Sequence, residues 1–219
     1  MLHKFIALTL IALTSSCSEL EYSGSTKILF EGTIANENGE PLPGIRVCTY
    51  VSKSGDEDVL SYTTSDENGH YRMFFPSPRN EKNVALLINQ TEPHTTANTA
   101  LSAITVQNID LDLIKEYTVD FGNYKIFNPE NAVTLTIQFV YTSEFGEPPH
   151  QVQVDGIISD DHINYNPKPE DDDYFYDGNQ ATYHVAKNQD ITVKYVQDGV
   201  KHEVTIPVSQ SDLTYTIEY

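Results

Sequence analysis

Tryptophan is missing from this 219-residue chain, and cysteine and basic residues are scarce. Two cysteines cannot make a disulfide scaffold or a zinc site built of cysteines alone. Thirteen Lys and Arg stand against 32 Asp and Glu, a formal net charge of −19. Phosphate recognition needs clustered cations, so nucleic acid is excluded as a partner, and so is docking onto an anionic bilayer through a basic face. Sustained helical periodicity is absent. There is no His-Glu-x-x-His or His-x-Glu pattern, no Gly-x-Ser-x-Gly elbow and no glycine-rich phosphate loop. Pairs of acids arise by chance in a chain with 32 of them, so they do not indicate glycoside hydrolysis. What the chain does have is 39% hydrophobic residues, enough to bury a core despite the charge.

The first seventeen residues read as an address. Lys4 gives a small positive start, and residues 5–13 are apolar. At about 1.5 Å per residue this run is too short to cross the roughly 30 Å of bilayer hydrocarbon. Thr14, Ser15 and Ser16 follow, then Cys17. Small residues ending in a cysteine resemble the lipobox of bacterial lipoproteins, with Thr14 where that motif usually has Leu. The resemblance implies a signal peptide over 1–16 and acylation of Cys17, which would hold the protein to a membrane at about 0.8 kcal/mol per buried CH₂. An ordinary secretory signal with a cysteine near the cut is the alternative. Ser18 behind the anchor resembles outer-membrane cargo, which points to the cell envelope, and residues 17–26 read as a polar tether. With Cys17 lipidated, Cys48 has no partner in the chain. It lies between Val47 and Thr49, and the expectation is a buried strand thiol. Arg46 shares its strand face, but no activating base adjoins it.

Beyond residue 27 the chain alternates short β-rich runs with turn residues. Runs at 28–35, 45–51, 59–64, 70–75 and 84–88 read as strands. Asn-Gly pairs at 38–39 and 68–69 mark turns, the second expected to be a type I′ hairpin. Residues 90–99 read as an exposed loop and 109–116 as a helical turn or two. Regular short spacing of this kind indicates an all-β sandwich or barrel. Gly32, Gly39, Pro41, Leu42 and Gly44, followed by Thr64, Asp66, Gly69 and Tyr71, resemble the two turn signatures of the carboxypeptidase regulatory-like domain. The resemblance implies a transthyretin-like or immunoglobulin-like β-sandwich of about seven strands over 27–127, with no active site of its own. The physical roles of these residues are architectural. Gly39 and Gly69 can take left-handed backbone, Pro41 stiffens a turn exit, Leu42 caps the core, Gly44 lets the chain re-enter the sheet, and Asp66 can bond turn amides.

Residues 128–131 read as a boundary. After it, runs at 132–141, 150–158, 183–186, 191–196, 200–208 and 213–219 make six strands, enough for a second β-sandwich over 130–219. A hairpin turn is expected at Gln197, Asp198 and Gly199. A single larger β-domain is the alternative, and no internal repeat is evident. The fold class expected is therefore all-β, with two consecutive sandwiches. Between 158 and 180 lies an acidic, tyrosine-rich insert. Its Asp171, Asp172, Asp173 and Asp177 are candidate Ca²⁺ ligands, without the EF-hand glycine and terminal glutamate. The leading reading is a solvated acidic loop whose aromatics fold back onto the sandwich, with Ca²⁺ or a glycan or protein contact as the alternatives. His162 beside Asp160 and Asp161 is the one histidine cluster. Residues 18–129 hold 16 acids and 8 bases, and residues 130–219 hold 16 acids and 4 bases, so the charge is concentrated in the second part. The expected function is a non-catalytic, lipid-anchored cell-envelope protein that presents loops to a glycan, peptide or protein partner. The alternatives are a structural subunit of a surface uptake complex or appendage, and a hydrolase with an unfamiliar site.

Overall fold

The computed structural model describes residues 20–142, 148–159, 163–165 and 180–219. The strands of the first half are β1 (Tyr22–Ala35), β2 (Arg46–Lys53), β3 (Asp56–Thr64), β4 (His70–Pro78), β5 (Asn83–Ile88), the short β6 (Gln90–Glu92) and β7 (Thr95–Thr96), β8 (Ile104–Asp110) and β9 (Thr118–Lys125). Those of the second half are β10 (Ala132–Val140), β11 (His150–Asp155), β12 (Ile158–Ser159), β13 (Ile163–Asn164), β14 (Gln180–Ala186), β15 (Gln189–Gln197), β16 (Val200–Val208) and β17 (Leu213–Glu218).

Alternation along each strand decides which face is covered. In β10, Val133, Leu135, Ile137 and Phe139 are buried while their neighbours are half-exposed. In β4, Tyr71, Met73 and Phe75 point inward and His70, Arg72 and Phe74 outward. Two separate hydrophobic clusters result. Sheets β4-β1-β9 and β13-β8-β5-β2-β3 close over Phe30, Val47, Tyr71, Phe75, Leu86 and Val106. Phe30 meets Phe75 edge-on at 4.8 Å. Sheets β12-β14-β10-β17 and β11-β15-β16 close over Leu135, Ile137, Phe139, Val193 and Ile206.

The two halves share one strand order. In the first, β1 pairs antiparallel with β4 and parallel with β9, while β2, β5 and β8 run side by side in the facing sheet. In the second, β10 pairs antiparallel with β14 and parallel with β17, opposite β11, β15 and β16. Topology follows from apolar alternation and connection length rather than residue identity, so the shared plan leaves no repeat in the sequence.

Turn chemistry explains several departures from expectation. Asp66 Oδ1 accepts from the amides of Asn68 and His70 at 2.8 and 2.9 Å. Gly69 has φ 75 but Asn68 is not left-handed, so the type I′ turn does not form. Nor is the element a hairpin: β3 pairs with β2, and β4 with β1 in the opposite sheet. A side chain at position 69 would run into the Ile34 carbonyl oxygen. Asp198 and Gly199 are both left-handed, at φ 49 and 71, the geometry of a type I′ turn, and they join β15 to β16. Gly39 and Gly44 also have positive φ, Pro41 bridges to Ala35, and the Gly44 amide donates to Ser65 O at 2.9 Å.

The expected tether runs too far. β1 already begins at Tyr22, and its register breaks between Tyr22 and Lys27, where Ser23 Oγ accepts from the amides of Ser25 and Thr26. Tyr22 Oη then donates to Asp58 at 2.5 Å. The helical reading of 109–116 shrinks to one 3₁₀ turn at Leu111–Leu113, capped by Asp110. β8 and β9 had no counterpart among the expected runs.

Asn128 caps a second 3₁₀ turn, Pro129–Asn131, at the junction. The turn is held from both sides. Asn131 donates to Glu37 Oε1 at 3.1 Å, and Lys187 Nζ to Glu130 O at 2.9 Å. The insert also links the halves. After β12 on a second-half sheet, β13 adds in parallel to β8 of the first half, Ile163 packs on the first cluster, and the Tyr165 ring lies 5.3 Å from Phe121. Cys17, His162 and the calcium candidates Asp171, Asp172, Asp173 and Asp177 lie outside the described residues.

Candidate functional site

Cross-strand pairing lines up Cys48, Leu87 and Thr105 across β2, β5 and β8. Their neighbours Val47, Ile88 and Ile104 face the core, so this row belongs to the outer face. It is nevertheless buried, with Cys48 and Leu87 at 0% exposure. The cause is the segment 89–102, which folds back over the sheet.

Asn89 holds that segment. Its backbone is left-handed, with φ 58, and its side chain is 1% exposed. The amide donates to the carbonyls of Asn98, Leu101 and Ser102 at 2.9 to 3.0 Å, and its oxygen accepts from the Asn98 amide at 3.0 Å. Gln90 is buried beside it, donating to Thr105 Oγ1 at 2.8 Å and accepting from the His94 amide at 3.2 Å. Buried amides satisfied on both their donor and acceptor sides give a loop one conformation. The loop expected at 90–99 is indeed exposed from Thr91 to Thr99, with Pro93 half-buried, but it is ordered, a roof carrying the β6–β7 hairpin.

Cys48 lies beneath the roof and donates its thiol to Gln90 O at 3.3 Å. Burial raises its pKa, and Arg46 only partly offsets this. The Arg46 guanidinium stacks over the Tyr62 ring at 4.2 Å. A sealed thiol with a raised pKa is the reverse of an activated nucleophile.

A cleft of about 310 Å³ opens between the hairpin tip and the outer face of the sheet. β2 supplies Tyr50 and Ser52, β3 supplies Glu57, β5 supplies Asn83, Ala85 and Leu87, β8 supplies Thr105, Gln107 and Asn108, and the tip supplies Pro93 and His94. Burial, then a hydrogen bond to Glu57 and the charges of Glu57 and Glu92, push the Tyr50 hydroxyl up to about 12, so it is protonated at neutral pH. His94 and Asn108, on opposite walls, have φ 63 and 56. Asn108 lies on the strand where the β5–β8 register breaks, a local bulge that re-aims side chains. Among the described residues, no Lys or Arg lines the cleft.

Two further clefts of similar volume lie among the described residues. One of about 370 Å³ lies at the junction, between Asn123–Lys125 and Val154–Ile158. Another of about 390 Å³ flanks the β15–β16 turn, where the Tyr195 and His202 rings stack at 5.0 Å and Lys194 is held by Asp155 at 2.6 Å. Among the described residues, no group of three His, Cys, Asp or Glu side chains could hold a metal ion.

Gly32, Gly39, Pro41, Gly44, Asp66 and Gly69 do not line the 310 Å³ cleft. Gly39, Pro41, Gly44, Asp66 and Gly69 build the turns at one end of the first sandwich, where the Leu42 amide donates to Ile34 O and the Ile45 amide to Ser65 Oγ. Gly32, expected with them, lies instead within β1, where a side chain would run into the Tyr71 hydroxyl. The cleft residues went unnoticed in the sequence. Their only local signal is polarity at outward positions of otherwise apolar strands.

No protein-family model matches the chain, and no curated protein matches it. Among solved structures, a shaft pilin from Lactobacillus rhamnosus GG is 12% identical, over 87% of this chain and 98% of that one, with a TM-score of 0.32. The tip fimbrial protein Mfa3 from Porphyromonas gingivalis is 10% identical, over 83% and 82%, with a TM-score of 0.31. A 9R-lipoxygenase from Cyanothece PCC8801 is 15% identical, over 49% of this chain, with a TM-score of 0.31. The chain spans only 19% of that lipoxygenase and 34% of the Bacillus anthracis TIE protein. At such values the likenesses carry no functional argument. The all-β sandwich fold rests on the strand order above.

Proposed function

We propose that this is a non-catalytic, lipid-anchored protein of the cell envelope, an accessory or binding module whose first sandwich offers a polar cleft to a partner. The cleft under the 89–102 roof is the observation that carries this reading. Its walls come from four strands and an amide-locked loop, an arrangement that holds polar side chains in fixed positions. The anchor rests on the leader and Cys17, and placement at the outer membrane rests on Ser18. The turn residues from Gly32 to Tyr71 support a carboxypeptidase regulatory-like identity for the first sandwich, a module without an active site of its own. Non-catalysis draws support from the cleft's chemistry, since its histidine is solvent-exposed and the nearby thiol is sealed.

Two measurements test the reading. Labelled palmitate should enter the wild-type chain and not Cys17→Ala; equal labelling overturns the anchor. The full chain, probed against an array of envelope glycans and peptides, should bind at least one class, with about a tenfold loss in Glu57→Gln at unchanged melting temperature. Stoichiometric co-purification with envelope proteins, insensitive to Glu57, would instead favour the assembly subunit. Hydrolysis abolished by the same substitution would favour an enzyme.

A further inference from the structure

Resting on the binding reading above, we infer that the cleft takes a neutral, hydroxyl-rich ligand, one or two rings of a carbohydrate chain. Its walls offer both donors and acceptors. Glu57 takes the Tyr50 proton and keeps further acceptor capacity, the Tyr50 oxygen can itself accept, and the exposed amides of Asn83 and Asn108 both donate and accept. A vicinal pair of hydroxyls also donates and accepts, so it can pair with every group on these walls.

Other ligand charges match less well. Among the described residues lining the cleft an anion would meet no Lys or Arg and would face the Glu57 carboxylate, with the charge of Glu92 also felt at Tyr50. A cation donates only. It could pair with Glu57 and with the amide oxygens of Asn83 and Asn108, but it would leave the N–H donors of those amides unmatched, whereas a hydroxyl matches both sides.

The floor supports the same conclusion. The half-buried Ala85 gives a small aliphatic surface beneath polar walls. A pyranose ring is amphipathic in the same sense, with C–H groups on its faces and hydroxyls round its rim. The volume of about 310 Å³ is near the lower end of small-molecule sites, roughly 300–1,000 Å³, which suits a short segment of chain.

The test is calorimetric titration of the full chain with three probes: neutral oligosaccharides, a lysine-rich peptide and heparin. The comparison protein carries Asn83→Ala and Asn108→Gly. Glycine accepts the left-handed backbone at 108, so only the amide is lost there. The inference expects an oligosaccharide to bind the wild type, binding to fall at least tenfold in the double variant, and the melting temperature to hold. If the lysine-rich peptide or heparin binds in a cleft-dependent way and no oligosaccharide does, the carbohydrate inference falls and the binding reading stands. Oligosaccharide binding that the double variant leaves intact overturns the placement in this cleft. No binding of any probe by the wild type overturns both.

Discussion

One side chain, Asn89, decides whether residues 89–102 lie on the sheet or leave it. It makes four hydrogen bonds to that segment from a buried position. Asn89→Ala removes these bonds, leaving the Leu101 and Ser102 carbonyls without this donor, and should cost about 2–3 kcal/mol, read as a lower denaturant midpoint with faster amide exchange at residues 97–102. Tyrosines set the alkaline limit. The Tyr50 hydroxyl is raised from 10.0 to about 12, and Tyr71, sealed in the core, is raised further by burial. Ionisation is thus easier in the unfolded chain. The stabilisation is fully present below pH 10 and is lost as pH rises through 12 and beyond. Stability should fall steadily over that window, and part of the tyrosinate absorbance should appear only with unfolding. Full tyrosine ionisation in a still-folded protein would contradict this.

Among elements, the pairing of β13 with β8 is the connection most open to test. Ile163→Asp with Tyr165→Ala removes the side-chain contacts of Ile163 with the first cluster and of Tyr165 with Phe121. The cost should be about 1–2 kcal/mol, and a single calorimetric transition should broaden or split as the halves lose coupling. A variant melting like the wild type would show that these two side chains do not couple the halves. Legibility in the sequence varied for a physical reason. β10, β15 and β16 could be read directly, because apolar residues alternate with polar ones along them and Asp-Gly fits a type I′ turn. β9 could not, because Val119 is its one fully buried side chain. The β6–β7 roof was also hidden. It is held by amides bonding to carbonyls 9 to 13 residues away, and Thr and Asn there look like solvent-facing loop. The Asn-Gly at 68–69 misled because Asp66 supplies the bonds that a hairpin turn would otherwise make.

At the scale of the whole molecule, the net charge of −19 and sequence pI of about 4.5 make self-repulsion the main guard against association. Solubility should reach its minimum near pH 4.5 and recover above pH 6, measured by light scattering at constant salt. Persistence of a monodisperse solution through pH 4.5 would show that the surface needs no charge to stay apart. The order of strands has a mechanical consequence. In each sandwich the first and last strands lie side by side and parallel, β1 with β9 and β10 with β17. The chain therefore enters each sandwich at one end and leaves at the other. Tension applied between the two ends of a sandwich pulls these paired strands lengthwise past each other. Their hydrogen bonds then share the load together instead of opening one at a time, a geometry that slows forced unfolding.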